Sequence, residues 1–176
     1  MAESLERMIM SSSSEFRIEA ATESDIPLIL TFIKGLAQYE GLAHEVVATE
    51  ENLRDSLFGP RASAEVVMGY SGTEPAGFAV FFHNYSTFLG RSGLYLEDLF
   101  VLPEWRGRGL GRALLGYVAR IAVARGYGRL EWSVLDRNEP AIRFYRALGA
   151  RAMDEWTIYR LTGEALEQLS GELNSD

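Results

Sequence analysis

The stretch Leu94-Tyr-Leu-Glu-Asp-Leu-Phe-Val-Leu-Pro-Glu-Trp-Arg-Gly-Arg-Gly-Leu-Gly-Arg-Ala113 decides the fold, because an apolar strand runs directly into a glycine-rich arginine loop that opens a helix. Glycines there leave the backbone N–H groups unscreened. The helix that follows has no intrahelical acceptors for its first N–H groups and carries a partial positive charge at its start, so the segment predicts an anion site able to take a pyrophosphate. Spacing excludes two familiar users of such a loop. A P-loop needs a lysine and then Ser or Thr after its last glycine, whereas Gly111 is followed by Arg112 and Ala113. A dinucleotide fingerprint needs Gly or Ala three residues beyond its second glycine, and Arg112 stands there.

A second segment, Leu130-Glu-Trp-Ser-Val-Leu-Asp-Arg-Asn-Glu-Pro-Ala-Ile-Arg-Phe-Tyr-Arg-Ala-Leu-Gly149, repeats the strand-to-helix design. Leu130, Trp132 and Val134 alternate, Asn138 and Pro140 mark a helix entry, and Ile142, Tyr145 and Leu148 recur at helical spacing before Gly149 ends the helix. Together, Arg106-x-x-Gly109-x-Gly111 and Asn138-x-x-Ala-x-x-Phe-Tyr-x-x-x-Gly149 resemble the two coenzyme-binding elements of the GNAT N-acetyltransferase superfamily. The resemblance runs from Phe16 to about Leu169. Tyr95-Leu-Glu-Asp98, Tyr85-Ser-Thr-Phe-Leu-Gly90 and Tyr39-Glu40 resemble the diamine (spermidine/spermine) acetyltransferases and their thialysine-acetylating branch; Val134-Leu-Asp136 and Arg146-Ala-Leu-Gly-Ala150 favour the latter. Two departures stand out: Ser86 and Phe88 occupy a region where polyamine-acetylating members carry an acidic residue and a Trp, and Arg137 replaces the usual Trp before the coenzyme-binding Asn.

The rest of the chain reads as one α/β (α+β) domain over residues 16–170, between tails at 1–15 and 171–176. Phe16–Ala20 alternates as a strand. Thr22 or Ser24 caps a helix with Pro27 in its first turn and an apolar stripe of Ile26, Ile29, Leu30, Ile33, Leu36 and Ala37, which ends at Tyr39-Glu40-Gly41. Thr49-Glu-Glu51 starts a second helix that Gly59-Pro60 stops. Strands at about Ala64–Tyr70, Ala76–Tyr85 and Leu94–Val101 form an antiparallel meander. Leu110, Leu114, Val118 and Ile121 mark the helix after the glycine loop, which ends at Gly126; a last strand is expected around Trp156–Leu161 and a short helix over Glu164–Leu169. The order is βααβββαβαβ. The resemblance implies a mixed sheet of about six to seven strands with helices on both faces.

Composition narrows the chemistry. The 176 residues hold 17 basic and 25 acidic side chains, a net charge of −8 that argues against a nucleic-acid footprint and for tolerance of cationic partners. No apolar run reaches the length of a membrane span and no signal-peptide pattern opens the chain, so the expected location is cytoplasmic. With no cysteine, acyl transfer cannot pass through a cysteinyl intermediate, and His44 and His83 lack metal-ligand spacing, so no metal is expected.

The resemblance then implies the roles. Acetyl-CoA is the co-substrate, with its pyrophosphate on the loop from Arg106 through Gly107, Arg108, Gly109, Leu110 and Gly111 to Arg112, its pantetheine beside Leu99, Phe100 and Val101, and Asn138 and Tyr145 as further contacts. An alkylamine with a pKa near ~10 must lose a proton before it attacks. Glu97 is the expected base and Tyr145 the expected acid. Tyr95, Glu97 and Leu99 share one face of a regular strand, so either Glu97 or Asp98 must face the helix-packed side unless the strand bulges. Tyr39, Glu40, Glu97 and Asp98, with Asp154 or Glu155, form an acidic pocket for a small amine carrying two cationic groups, and a homodimer is implied. The competing readings are an acetyltransferase of protein N-termini or lysines and a non-catalytic coenzyme A-binding module.

Overall fold

The computed structural model describes residues 16–171; of the tails expected at 1–15 and 171–176, all but residue 171 lie outside the described residues. Two compact units divide between Ser133 and Val134. The first is built on a sheet of β1 (Phe16–Ala20), β2 (Glu65–Ser71), β3 (Glu74–Ser86), β4 (Arg91–Val101) and β5 (Leu130–Trp132), in that spatial order. The first four strands run antiparallel and β5 runs parallel to β4, which makes the sheet mixed. Five strands stand among the described residues, slightly fewer than the six to seven expected.

Alternation sends successive strand residues to opposite faces, and each face meets its own helix. Val66, Met68, Phe78, Val80 and Phe100 pack with Ile26, Ile29 and Phe32 of α1 (Ile26–Glu40). Phe32, absent from the expected apolar stripe, is the aromatic hub of this layer, with ring centroids 5.5 Å from Phe78 and 6.0 Å from Phe100. A turn at Glu23–Asp25 leads into α1, and its entry is a capping box in which the Thr22 N–H donates to Asp25 Oδ2 at 2.7 Å. Gly41, at φ 74°, ends the helix. A β-carbon on Gly35 would stand 3.0 Å from Phe100 Cζ, so the missing side chain lets α1 lie close on β4.

On the opposite face sits α3 (Leu110–Ala124), which follows the short α2 (Glu50–Leu53) in chain order. Cross-strand partners Gly69 and Gly77 make its seat: a β-carbon on Gly69 would meet Leu110 Cδ1 at 2.9 Å, and one on Gly77 would meet Leu110 Cδ2 at 3.4 Å. Leu110 is fully buried in this dimple, which fixes the start of α3 against the end of β4.

The second unit carries α4 (Glu139–Ala147) and α5 (Gly163–Gly171). Gly149, at φ 89°, follows α4 as expected. The strand expected around Trp156–Leu161 is not formed, and Trp156, Ile158 and Tyr159 are exposed. An extended segment becomes a strand only when a neighbour completes its ladder, and among the described residues this unit holds no other strand. No helix among the described residues is long and apolar enough to cross a membrane.

Candidate active site

The register of β4 changes in the middle of its acidic tetrad. Val80 of β3 pairs with Asp98 while the next residue, Phe81, pairs with Leu96, so Glu97 is the extra residue of a β-bulge. The bulge overturns the expectation that Tyr95, Glu97 and Leu99 share one face. Tyr95 pairs with Phe82, Asp98 with Val80 and Leu99 with Ala79, which carries Asp98 to the α1 side with Phe100 and turns Leu99 to the α3 side. Glu97 itself is exposed.

Asp98 therefore meets a different environment from its neighbour. Burial, then the charge of Glu97, then that of Glu40 push its carboxyl up from 3.8 to about 6. The Glu40 contribution shows that the exit of α1 lies near this part of β4. Glu40, Glu97 and Asp98 thus lie close enough for their charges to act on one another, while Tyr39, the residue before Glu40, lies under Arg106.

The second break in the sheet falls at the same place. The β4–β5 ladder ends with Leu96 opposite Trp132, and Ser133 Oγ is 2.6 Å from the Tyr95 hydroxyl at the parting point. From Glu97 to Val101, β4 keeps only β3 as a ladder partner among the described residues. Backbone groups on its other side at Leu99, Phe100 and Val101 are those the sequence assigned to a pantetheine arm.

Val101 leads through a turn at Pro103–Trp105 into the glycine loop. Gly107 and Gly109 have φ of 74° and 95°, a region open to glycine at little cost, and no atom lies within 4 Å of where their β-carbons would be. The first helical bond of α3 is from the Ala113 N–H to the Gly109 carbonyl at 3.0 Å, so the N–H groups of Leu110, Gly111 and Arg112 have no acceptor within the helix. Open space over two left-handed glycines beside three such donors is a cradle that fits a pyrophosphate. The loop arginines point elsewhere: Arg108 lies over Trp105 at 4.9 Å, and Arg106 lies 4.4 Å over the Tyr39 ring with its Nε–H donating to the Val101 carbonyl at 2.9 Å.

Ser86 is buried, and its Oγ accepts from the Leu89 N–H at 3.3 Å within the β3–β4 turn, while Phe88 is exposed. Asn138 and Tyr145 belong to the second unit. Asn138 caps α4 by accepting from the Ala141 N–H at 3.3 Å, and Tyr145 has its ring centroid 5.2 Å from that of Phe144. Asp154 and Glu155 are exposed. Among the described residues no three potential metal ligands cluster. The sequence allowed for a bulge at Glu97 or Asp98 without placing it, and gave no reading of the Gly69–Gly77 seat; two glycines inside strand patterns were the available sign of the seat.

The family model of the acetyltransferase (GNAT) family matches residues 34–150. The chain belongs to the GNAT acetyltransferase family. Its members take their acetyl group from acetyl-CoA, and this chain is an N-acetyltransferase. The L-ornithine N5-acetyltransferase of Arabidopsis thaliana is 34% identical over 87% of this chain and 87% of its own. The thialysine N-epsilon-acetyltransferase of Mus musculus is 36% identical over 88% of this chain and 97% of its own, in line with the branch its motifs resemble. Among solved structures, an integron cassette protein from the mobile metagenome of V. cholerae superposes with a TM-score of 0.74 at 26% identity, covering 90% of this chain and 99% of that one.

Proposed function

We propose that this GNAT protein acetylates a primary amine of a small cationic substrate, an ornithine-, lysine- or thialysine-like amino acid or a diamine, by direct transfer in a ternary complex. The observation that carries this reading is the convergence of Glu40, Glu97 and Asp98 where β4 bulges and parts from β5, with the Asp98 carboxyl raised to about 6. Relatives named for ornithine and thialysine support it, since each of those amino acids carries a second amine.

Acetyl-CoA, when bound, supplies the thioester that donates the acetyl group. The amides from Gly107 to Arg112 hold its pyrophosphate and the β4 edge from Leu99 to Val101 its pantetheine. The sequence assigned the base to Glu97; the structure favours Asp98. A base works best with a pKa close to the working pH, and Asp98 is the half-buried, raised carboxylate, whereas Glu97 is exposed. In this reading Asp98 Oδ accepts the ammonium proton while Glu97 and Glu40, with Tyr39 beside them, hold the second cation. Tyr145 Oη holds the proton that passes to the departing thiolate sulfur as the thioester is cleaved, and Asn138 orients the start of α4 as well as meeting the coenzyme. Tyr145→Phe then lowers turnover by roughly 10²-fold with coenzyme affinity retained, read by steady-state kinetics beside calorimetry. Wild-type turnover would reject the acid role.

Residues 16–170 act in this reading as one catalytic domain, which the family match across both units supports. A homodimer belongs to the same proposal; sedimentation that returns only the 19.6 kDa chain at every concentration would reject it. The deciding experiment is thiol release from acetyl-CoA with ornithine, lysine, thialysine, putrescine, spermidine and a lysine peptide. Preference for the amino acids and short diamine supports the reading. Preference for the peptide favours a protein acetyltransferase, and no thiol release with measurable coenzyme binding favours a non-catalytic module.

A further inference from the structure

Arg106 opens the glycine motif, yet its side chain turns away from the loop. Its guanidinium carbon stands 4.4 Å from the centroid of the Tyr39 ring and 5.6 Å from that of Phe100, and its Nε–H donates to the Val101 carbonyl at 2.9 Å. Three elements meet on this one group: the last turn of α1, the end of β4 and the entrance to the loop. We propose that Arg106 is a positioning residue, a clasp that fixes the Tyr39–Glu40 exit of α1 over the Asp98 end of β4 and so sets the width of the amine pocket.

Geometry makes the clasp specific. Phe100 lies two residues beyond Asp98 on the same face of β4, and Gly35 lets α1 press onto its ring. Tyr39 is about one turn further along α1, and the next residue, Glu40, is near enough for its charge to act on Asp98. Gly41 follows in a left-handed conformation and ends α1, so Tyr39 and Glu40 are its last two residues. A flat cation stacked on the Tyr39 and Phe100 rings, anchored by a directional bond to the strand end, ties that terminus to β4. Lysine cannot reproduce it: an ammonium keeps the charge but offers neither a planar face nor an Nε–H directed to Val101.

The inference rests on the amine-acetylation reading, and its test separates the two. Arg106→Gln, Arg106→Lys and Tyr39→Leu are compared for the Michaelis constants of amine and acetyl-CoA, and for coenzyme A affinity by calorimetry. The clasp predicts a rise of roughly 10-fold in the amine constant for all three variants, with coenzyme A affinity within about threefold of wild type. Arg106→Gln combined with Tyr39→Leu should be no worse than either alone, because both break one contact. Arg106→Lys with a normal amine constant overturns the clasp, since charge alone then suffices. Loss of coenzyme A affinity in Arg106→Gln by tenfold or more, with Tyr39→Leu unaffected, also overturns it and makes Arg106 a phosphate ligand. If the wild-type chain acetylates no amine, the functional reading fails and calorimetry alone judges Arg106: unchanged coenzyme A affinity in Arg106→Gln supports a side chain turned from the loop, and a tenfold loss overturns it.

Discussion

The two halves of β4 differ in what their backbones do. From Leu94 to Leu96 the strand is held by β3 on one side and β5 on the other, and Leu94 and Leu96 are fully buried. From Glu97 to Val101 it keeps the β3 ladder alone, begins with a bulge and carries two carboxylates. The first half is committed to its neighbours, so it specifies the fold. In the second half the bulge carries Asp98 to the α1 side, where its carboxyl is raised, and this is the half on which the proposed chemistry rests. The proposed chemistry is placed where the sheet stops being continuous, a common place for bulges that redirect a side chain.

Replacing the half-buried carboxylate of Asp98 should give the largest effect. Asp98→Asn is expected to lower kcat/KM for the amine by roughly 10²- to 10³-fold at pH 7.5, with coenzyme A affinity retained. The same variant should be more stable than wild type. A carboxyl held near 6 when folded and near 3.8 when unfolded binds more protons in the folded state between those values, so stability falls as pH rises through that window. The full penalty, up to about 3 kcal/mol, applies above pH 6 and vanishes below pH 4. Denaturant melts at pH 7.5 and pH 3.5 check this: a stabilisation that persists at low pH, or an active Asp98→Asn, would show that the two halves of β4 do not differ as described.

How far the sequence disclosed this contrast can be seen residue by residue. The loop, its helix and the tetrad were legible, because left-handed glycines and a helical apolar period are local properties of the chain. A cap at Thr22 or Ser24, which the structure places at Thr22 on the turn leading into α1, and the stop at Gly41 were legible for the same reason. Which of Glu97 and Asp98 faces α1 was not, since a bulge depends on the partner strand, and β3 carries no mark at Val80 or Phe81 that announces it. Nor was Phe32 as hub, or Arg106 stacked on Tyr39 across a long sequence separation. Asn138 shows the opposite limit: one residue serves as helix cap in the structure and as coenzyme contact in the family pattern. The Trp156–Leu161 segment has a strand's composition, but pairing is not a property of composition.

A smaller effect tests the packing under the second half. A β-carbon on Gly77 would stand 2.5 Å from the Phe100 carbonyl oxygen and 3.2 Å from Val101 Cα, both backbone atoms that cannot rotate away. Gly77→Ala should therefore push β3 from the end of β4 and cost about 1–3 kcal/mol in a denaturant melt. Because Leu110 also rests there, coenzyme A affinity should fall with stability. A neutral substitution would mean that the end of β4 moves freely and does not hold the site rigid.

The smallest effect is also the sharpest discriminator between the two adjoining carboxylates. If Asp98 is the base, the acid limb of kcat/KM should lie near pH 6, the value at which its carboxyl titrates. Glu97 is one of the two charges that raise it, so Glu97→Gln removes a repulsion, lowers the Asp98 pKa and moves that limb to lower pH. The displacement should be less than about one pH unit, because an exposed charge is screened by solvent and salt. If Glu97 is the base, the same substitution leaves only amine already deprotonated in solution to react, and the profile moves to higher pH. The two assignments thus predict opposite directions for one measurement on one variant. Glu40→Gln serves as the control: its charge also raises Asp98, so it should move the limb in the acid direction, by less than Glu97→Gln. An acid-ward shift in both variants assigns the proton to Asp98, and an alkaline shift confined to Glu97→Gln returns it to Glu97.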